Sequence, residues 1–73
     1  MIAISCRRRK DGTPSELFEV DYIPAGRRNA RLCTIVESKA RLLDLLIRIH
    51  GVEAERAASA IDEAQKDGSA KIE

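Results

Sequence analysis

Residues 32–49 read Leu32-Cys33-Thr34-Ile35-Val36-Glu37-Ser38-Lys39-Ala40-Arg41-Leu42-Leu43-Asp44-Leu45-Leu46-Ile47-Arg48-Ile49. The apolar rhythm changes inside this stretch. Residues 30–36 are rich in β-branched residues toward their end and suit a strand. Two inward faces remain open for it: Leu32, Thr34 and Val36, or Cys33 and Ile35. After Ser38 only a thin polar stripe interrupts the apolar residues, with Arg41, Asp44 and Arg48 at i, i+3 and i+7. That spacing predicts a helix over 39–50, capped by Ser38 and stopped by Gly51. A helix this apolar needs cover on more than one side.

Toward the N-terminus the period is two. Ile2, Ile4 and Cys6 alternate with Ala3, Ser5 and Arg7, which reads as a strand with one buried face. Asp11-Gly12 and Thr13-Pro14 signal a turn. Residues 16–23 form the clearest strand, with Phe18, Val20 and Tyr22 on one side and Glu19 and Asp21 on the other; Pro24-Ala25-Gly26 ends it.

Toward the C-terminus a second helix is expected over 53–67, with a narrow stripe of Ala54, Ala57, Ala58, Ile61 and Ala64. Glu53 and Glu55 in its first turn and Lys66 in its last suit the helix dipole. Gly68 fits a C-cap. Residues 69–73 alternate, as a short edge strand or an ordered tail. The expected fold class is therefore α+β: an antiparallel β-β-β sheet, an α-α hairpin packed on one face, and a short C-terminal edge strand. One domain spans 1–73, with strands one and three flanking strand two.

Composition narrows the function. The chain has 73 residues, 44% hydrophobic and 34% charged, and a net charge of +1. A chain this short buries about 60% of its unfolded surface, so disulfides, a metal or a partner usually help to stabilise it. Two cysteines do not make a disulfide scaffold, and Cys6 and Cys33 on strands one and three would stand about 9–10 Å apart. They are read as free thiols, with a single Cys6–Cys33 bridge left as the alternative that a different strand order would allow. One histidine and no Cys-x-x-Cys leave a structural zinc site without ligands. No apolar run is long enough for a membrane span, and the N-terminus is too soon basic for a signal peptide, so a cytoplasmic, non-membrane protein is expected.

Catalysis finds little support. His50, the sole candidate base, sits at a helix end where imidazoles cap carbonyls or face solvent. Glu53/Glu55 and Asp62/Glu63 lie on a solvated helix face with no pocket to raise a pKa. Gly12, Gly26, Gly51 and Gly68 are isolated, so there is no phosphate loop. The expectation is a non-enzyme without cofactor or metal.

The near-zero charge conceals an asymmetry. Residues 1–31 carry a net +3 and residues 32–73 a net −2. The positives gather in Arg7-Arg8-Arg9-Lys10 and in Arg27, Arg28 and Arg31, both flanking predicted turns. Such clusters attract phosphate backbones or acidic protein surfaces. The competing reading is structural: Arg7 and Arg9 pair across the strands with Glu16, Glu19 or Asp21.

Three strands, a helix, basic turns and the start Glu37-Ser38-Lys39-Ala40-Arg41-Leu42 resemble the arm-type DNA-binding domain of tyrosine recombinases over roughly residues 2–50. That family lays the exposed face of its sheet into the major groove, and the resemblance implies direct nucleic-acid binding. In size and architecture the chain is also similar to phage-encoded inhibitors of the anti-CRISPR type, which occlude a surface of a larger nucleoprotein machine.

The leading expectation is a non-catalytic inhibitor or adaptor acting on a protein or nucleoprotein partner. Its contacts would be Arg7, Arg8, Arg9, Lys10, Arg27, Arg28 and Arg31. Direct nucleic-acid binding through the basic turns is the alternative. A homodimer buried through the apolar first helix is the third.

Overall fold

Alternation at the N-terminus and helical periodicity after Ser38 resolve into β1 (Ile2–Arg8), β2 (Pro14–Tyr22), β3 (Leu32–Val36), α1 (Lys39–Arg48), α2 (Ala54–Asp67) and β4 (Ser69–Ile72). The computed structural model describes residues 1–24, 26 and 31–73. The fold is α+β. Its antiparallel sheet has the order β3-β2-β1-β4, with the helix hairpin on one face. The C-terminal residues thus form a true edge strand, paired with β1.

Register settles the inward face of β3. Phe18 lies opposite Val36, Val20 opposite Thr34, and Tyr22 opposite Leu32. The helix-facing set is therefore Leu32, Thr34 and Val36, while Cys33 and Ile35 point to the open face. On the other side of β2, Ile4 pairs with Val20 and Cys6 with Phe18. β4 adds Ala70 beside Ile4 and Ile72 beside Ile2.

The core lies between this face and the helices. Ile4, Phe18, Leu42, Leu46 and Ile61 are fully buried. α2 lies over β1 and β4, and α1 lies over β2 and β3. Ser38 caps α1: the Arg41 N–H donates to its hydroxyl at 3.0 Å. Gly68 ends α2 in the left-handed region, φ 94°, where its lack of a Cβ removes the strain.

The buried stripe of α2 is Ala57, Ala60, Ile61 and Ala64, a strict i, i+3, i+4, i+7 set. Ala54, placed in the stripe by sequence, is exposed in the first turn, and Ala60 takes the inward position. Small side chains there let the helix sit close to the sheet. α1 buries Leu42 and Leu46, half-buries Leu43 and Leu45, and leaves Ile47 and Ile49 exposed. The hairpin therefore covers one side of α1 and leaves the other open.

Candidate functional site: an open sheet face and two unlike edges

Opposite the helices, no helix or strand among the described residues covers the sheet. By alternation and register this open face carries Ala3, Ser5 and Arg7 from β1 and Leu17, Glu19 and Asp21 from β2. Cys33 and Ile35 come from β3, and Ser69 and Lys71 from β4. Small and apolar groups are interleaved with charges of both signs.

Two of the basic residues singled out by sequence are neutralised here. The Arg7 guanidinium donates to Glu19 Oε1 at 2.8 Å. Arg31 donates to Asp21 Oδ2 at 2.5 Å. Cross-strand pairing of Arg7 was the structural alternative, and it is what forms. Each such exposed pair contributes under about 1 kcal/mol to stability. Together they neutralise Arg7 and Arg31, and Lys71 on β4 adds one further positive charge at the edge of the face.

The Asp21 carboxyl is held below its ordinary value of 3.8, first by the hydrogen bond from Arg31 and then by the Cys33 thiol. Cys33 stands directly across the ladder from Asp21. Asp21 Oδ1 is buried and accepts no formed hydrogen bond. The same carboxylate, with some burial, raises the Cys33 thiol above its ordinary 9.0.

Arg8 does something else. Its guanidinium donates to the carbonyls of Lys66 at 2.9 Å and Gln65 at 3.5 Å, and to that of Gly12 at 3.0 Å. These include carbonyls that the end of α2 leaves without helical partners, at the negative pole of the helix dipole. Arg8 thereby ties β1, the β1–β2 turn and α2 together.

That turn is built by Asp11, whose Oδ1 accepts from the Thr13 backbone N–H at 3.0 Å and the Thr13 hydroxyl at 2.6 Å. These bonds lower the Asp11 carboxyl below 3.8. Gly12 adopts φ 87° at the tip. Arg9 and Lys10 are exposed on the turn. Arg27 and Arg28 lie outside the described residues, so the second basic cluster is represented by Arg31 alone.

The cysteines occupy different environments. Cys6 is buried on the helix side, its thiol donating to the Ser15 carbonyl at 3.3 Å; Cys33 is exposed on the open side. Both are free, on opposite faces with β2 between them. His50 neither caps carbonyls through its ring nor stands free in solvent. The ring is half-buried against Tyr22, centroids 4.8 Å apart. Sequence periodicity carries no signal for this contact between a helix end and a strand end.

Sequence reasoning missed the edge of β3. Leu32 is 64% exposed and Ile35 55% exposed, and no strand among the described residues pairs with the outer side of β3. A shallow groove lined by Ile35, Val36, Glu37, Arg41 and Leu45 runs between this edge and α1.

The class these features define is a small α+β domain with a helix-covered face, a bare mixed-charge face and one exposed apolar edge. No known protein family, curated protein or solved structure matches the chain. Among the described residues no helix is long and apolar enough to cross a membrane, and no cluster of three or more His, Cys, Asp and Glu is grouped as a metal site.

Proposed function

We propose that the chain is a non-catalytic binding module: a small inhibitor or adaptor that lays the open face of its sheet on a protein surface, within a protein or nucleoprotein partner, and occludes it. One observation carries the reading. The two arginines on the open face, Arg7 and Arg31, are each paired with a neighbouring carboxylate. A surface evolved for a phosphate backbone keeps its cations free, because affinity comes from displacing counterions. Glu19 and Asp21 at the centre of the face would instead repel phosphates. A face that mixes small apolar side chains with two internal ion pairs, and among the described residues leaves only Lys71 at its β4 edge as an unpaired cation, suits a protein surface.

Within the expected contact set, Arg7 and Arg31 belong to this face, Arg8 to the end of α2, and Arg9 and Lys10 to the β1–β2 turn. The occlusion reading matches the resemblance to anti-CRISPR-type inhibitors in size and architecture. Nucleic-acid binding would fall to Arg9 and Lys10, supplemented by Arg27 and Arg28.

The test is partner capture by the full chain against two variants that fold normally by circular dichroism. One carries Ser5→Lys and Leu17→Lys on the open face, and the other carries Arg9→Glu and Lys10→Glu on the turn. The expected result is loss of the captured partner with the open-face pair and retention with the turn pair. The reverse pattern, together with steeply salt-dependent binding of labelled duplex DNA, would overturn the reading in favour of nucleic acid.

A further inference from the structure

We infer that β3 pairs edge to edge with β3 of a second copy, forming a twofold dimer with one continuous eight-stranded sheet, in a register centred on Thr34. The inference concerns the edge of the sheet; it shares Arg31, paired with Asp21 within the chain, with the open-face reading, and its association test is separate from the capture test.

An antiparallel pair of identical strands is related by a twofold axis normal to the sheet. Faces then match only when a residue sits opposite its own counterpart. Three such registers bear on β3. Centred on Thr34, Cys33 lies opposite Ile35 of the other copy, Leu32 opposite Val36, and Arg31 opposite Glu37. Every flanking pair is apolar with apolar or cation with anion, and each occurs twice by symmetry. Centred on Ile35, Thr34 meets Val36 and Cys33 meets Glu37, so each flank sets a polar group against an apolar or weakly polar one, and Arg31 has no anion opposite it because the chain has already turned into α1. Centred on Cys33, Arg31 meets Ile35 and the charge match is lost. Complementarity of the strand with itself thus selects a single register.

The structure supplies the room. Leu32, helix-side by register yet 64% exposed, would lie beside Val36 of the other copy. There it meets the open groove of Val36, Leu45 and Arg41 under the rim of α1. Ile35, 55% exposed on the opposite face, would lie against Cys33. The two copies of α1 would lie on the same side of the joined sheet. The dimer contact is thus the β3 edge first, with α1 at its rim, and not the α1 face alone.

The experiment is sedimentation equilibrium of the full chain from about 10 µM to about 1 mM, the range in which a small interface becomes populated. Wild type should approach twice the 8.1 kDa chain mass. Ile35→Lys and Leu32→Lys change only exposed side chains, and each should weaken association about tenfold or more. Glu37→Arg should weaken it by placing cations opposite each other, and adding Arg31→Glu should restore it. The restoration separates pairing from a folding defect.

For the register, Thr34→Cys in a Cys33→Ser background should give an oxidised dimer that Ile35→Lys suppresses. A wild-type monomer across the range would overturn the proposal. So would a dimer indifferent to Leu32, Ile35 and Glu37. Either result would leave the open-face reading to be judged by its own capture test.

Discussion

β4 and β3 close the sheet on opposite sides and manage the exposed strand edge in different ways. β4 has four residues; Ala70 and Ile72 are buried under α2, and the outward side chains are Ser69 and Lys71. A short strand with an outward lysine is a common defence against edge pairing. β3 has five residues, and all but Val36 are exposed. Its exposed large apolar side chains are Leu32, on the helix side, and Ile35, on the open side, with no lysine or proline within the strand. The molecule has the means to guard an edge and applies them on one side only. In physical terms, β4 is a stability element and β3 is an exposed edge, proposed above as a contact element; mutations can break that contrast.

The largest effect belongs to the guarded side. Ile72→Ala removes a side chain packed in the core and should cost about 2–4 kcal/mol, read as a fall in urea midpoint. A domain of this size holds only about 4–11 kcal/mol in total, so the variant should be partly unfolded on warming. Ile35→Ala on the other edge should leave the midpoint of the dilute protein within about 0.5 kcal/mol of wild type. If Ile35→Ala destabilises as much as Ile72→Ala at low concentration, β3 is a core strand and the contrast fails.

Arg8 sharpens the comparison next. Its guanidinium ties β1 to the end of α2, one residue before the Gly68 that leads into β4. Arg8→Met should cost about 0.3–1 kcal/mol by leaving terminal carbonyls without their cation. Arg9→Met, one residue along on the exposed turn, should change the midpoint by less than that. Equal losses would mean that the cluster acts as one diffuse charge, with no specific cap at Arg8.

These cases mark how far the sequence could be read. The period change after Val36, the Ser38 cap and the Gly68 stop are local, and each formed where the pattern placed it. Strand order was left open by the sequence, and pairing in the folded sheet decides it. What escaped was set by contacts distant in sequence. Arg8 and Lys66 lie 58 positions apart, so nothing in Arg7-Arg8-Arg9-Lys10 distinguishes the residue that caps a helix. The inward face of β3 stayed ambiguous because both alternating sets are equally apolar, and only pairing with β2 decides it. The exposed edge was invisible for the same reason: an edge is a property of strand order.

Thiol chemistry reads the two sides with a smaller effect. Cys33, exposed on β3, should alkylate first at pH 8, while Cys6 reacts only as the chain opens. Cys33 should nevertheless react more slowly than a free thiol, because the Asp21 carboxylate raises its pKa and so lowers the thiolate fraction. Asp21→Asn should speed the reaction. Raising the protein concentration should slow it, because the proposed edge pairing would place Ile35 of the second copy over the thiol.

The smallest effect is the acid response of the same corner. Asp21 has a folded-state pKa below 3.8, lowered first by Arg31. A depressed carboxylate stabilises the fold at pH values above its unfolded pKa. That contribution fades as pH falls through the lower folded value, because protonation then breaks the pair. Stability should therefore decline as pH drops below about 4, and the decline should be shallower in Asp21→Asn, which has no carboxylate to protonate. Asp11, lowered by Thr13 in the β1–β2 turn, should behave the same way. The two differ in salt: the Asp21–Arg31 pair is ionic and exposed, so moderate salt should erase its share. Asp11 accepts from an uncharged backbone N–H and hydroxyl, so its share should persist. If salt left the Asp21 contribution untouched, Arg31 would not be the group holding that carboxylate, and Arg31 would be free to serve as a cation on the open face. The charge balance that favours a protein partner over a nucleic acid would then no longer hold.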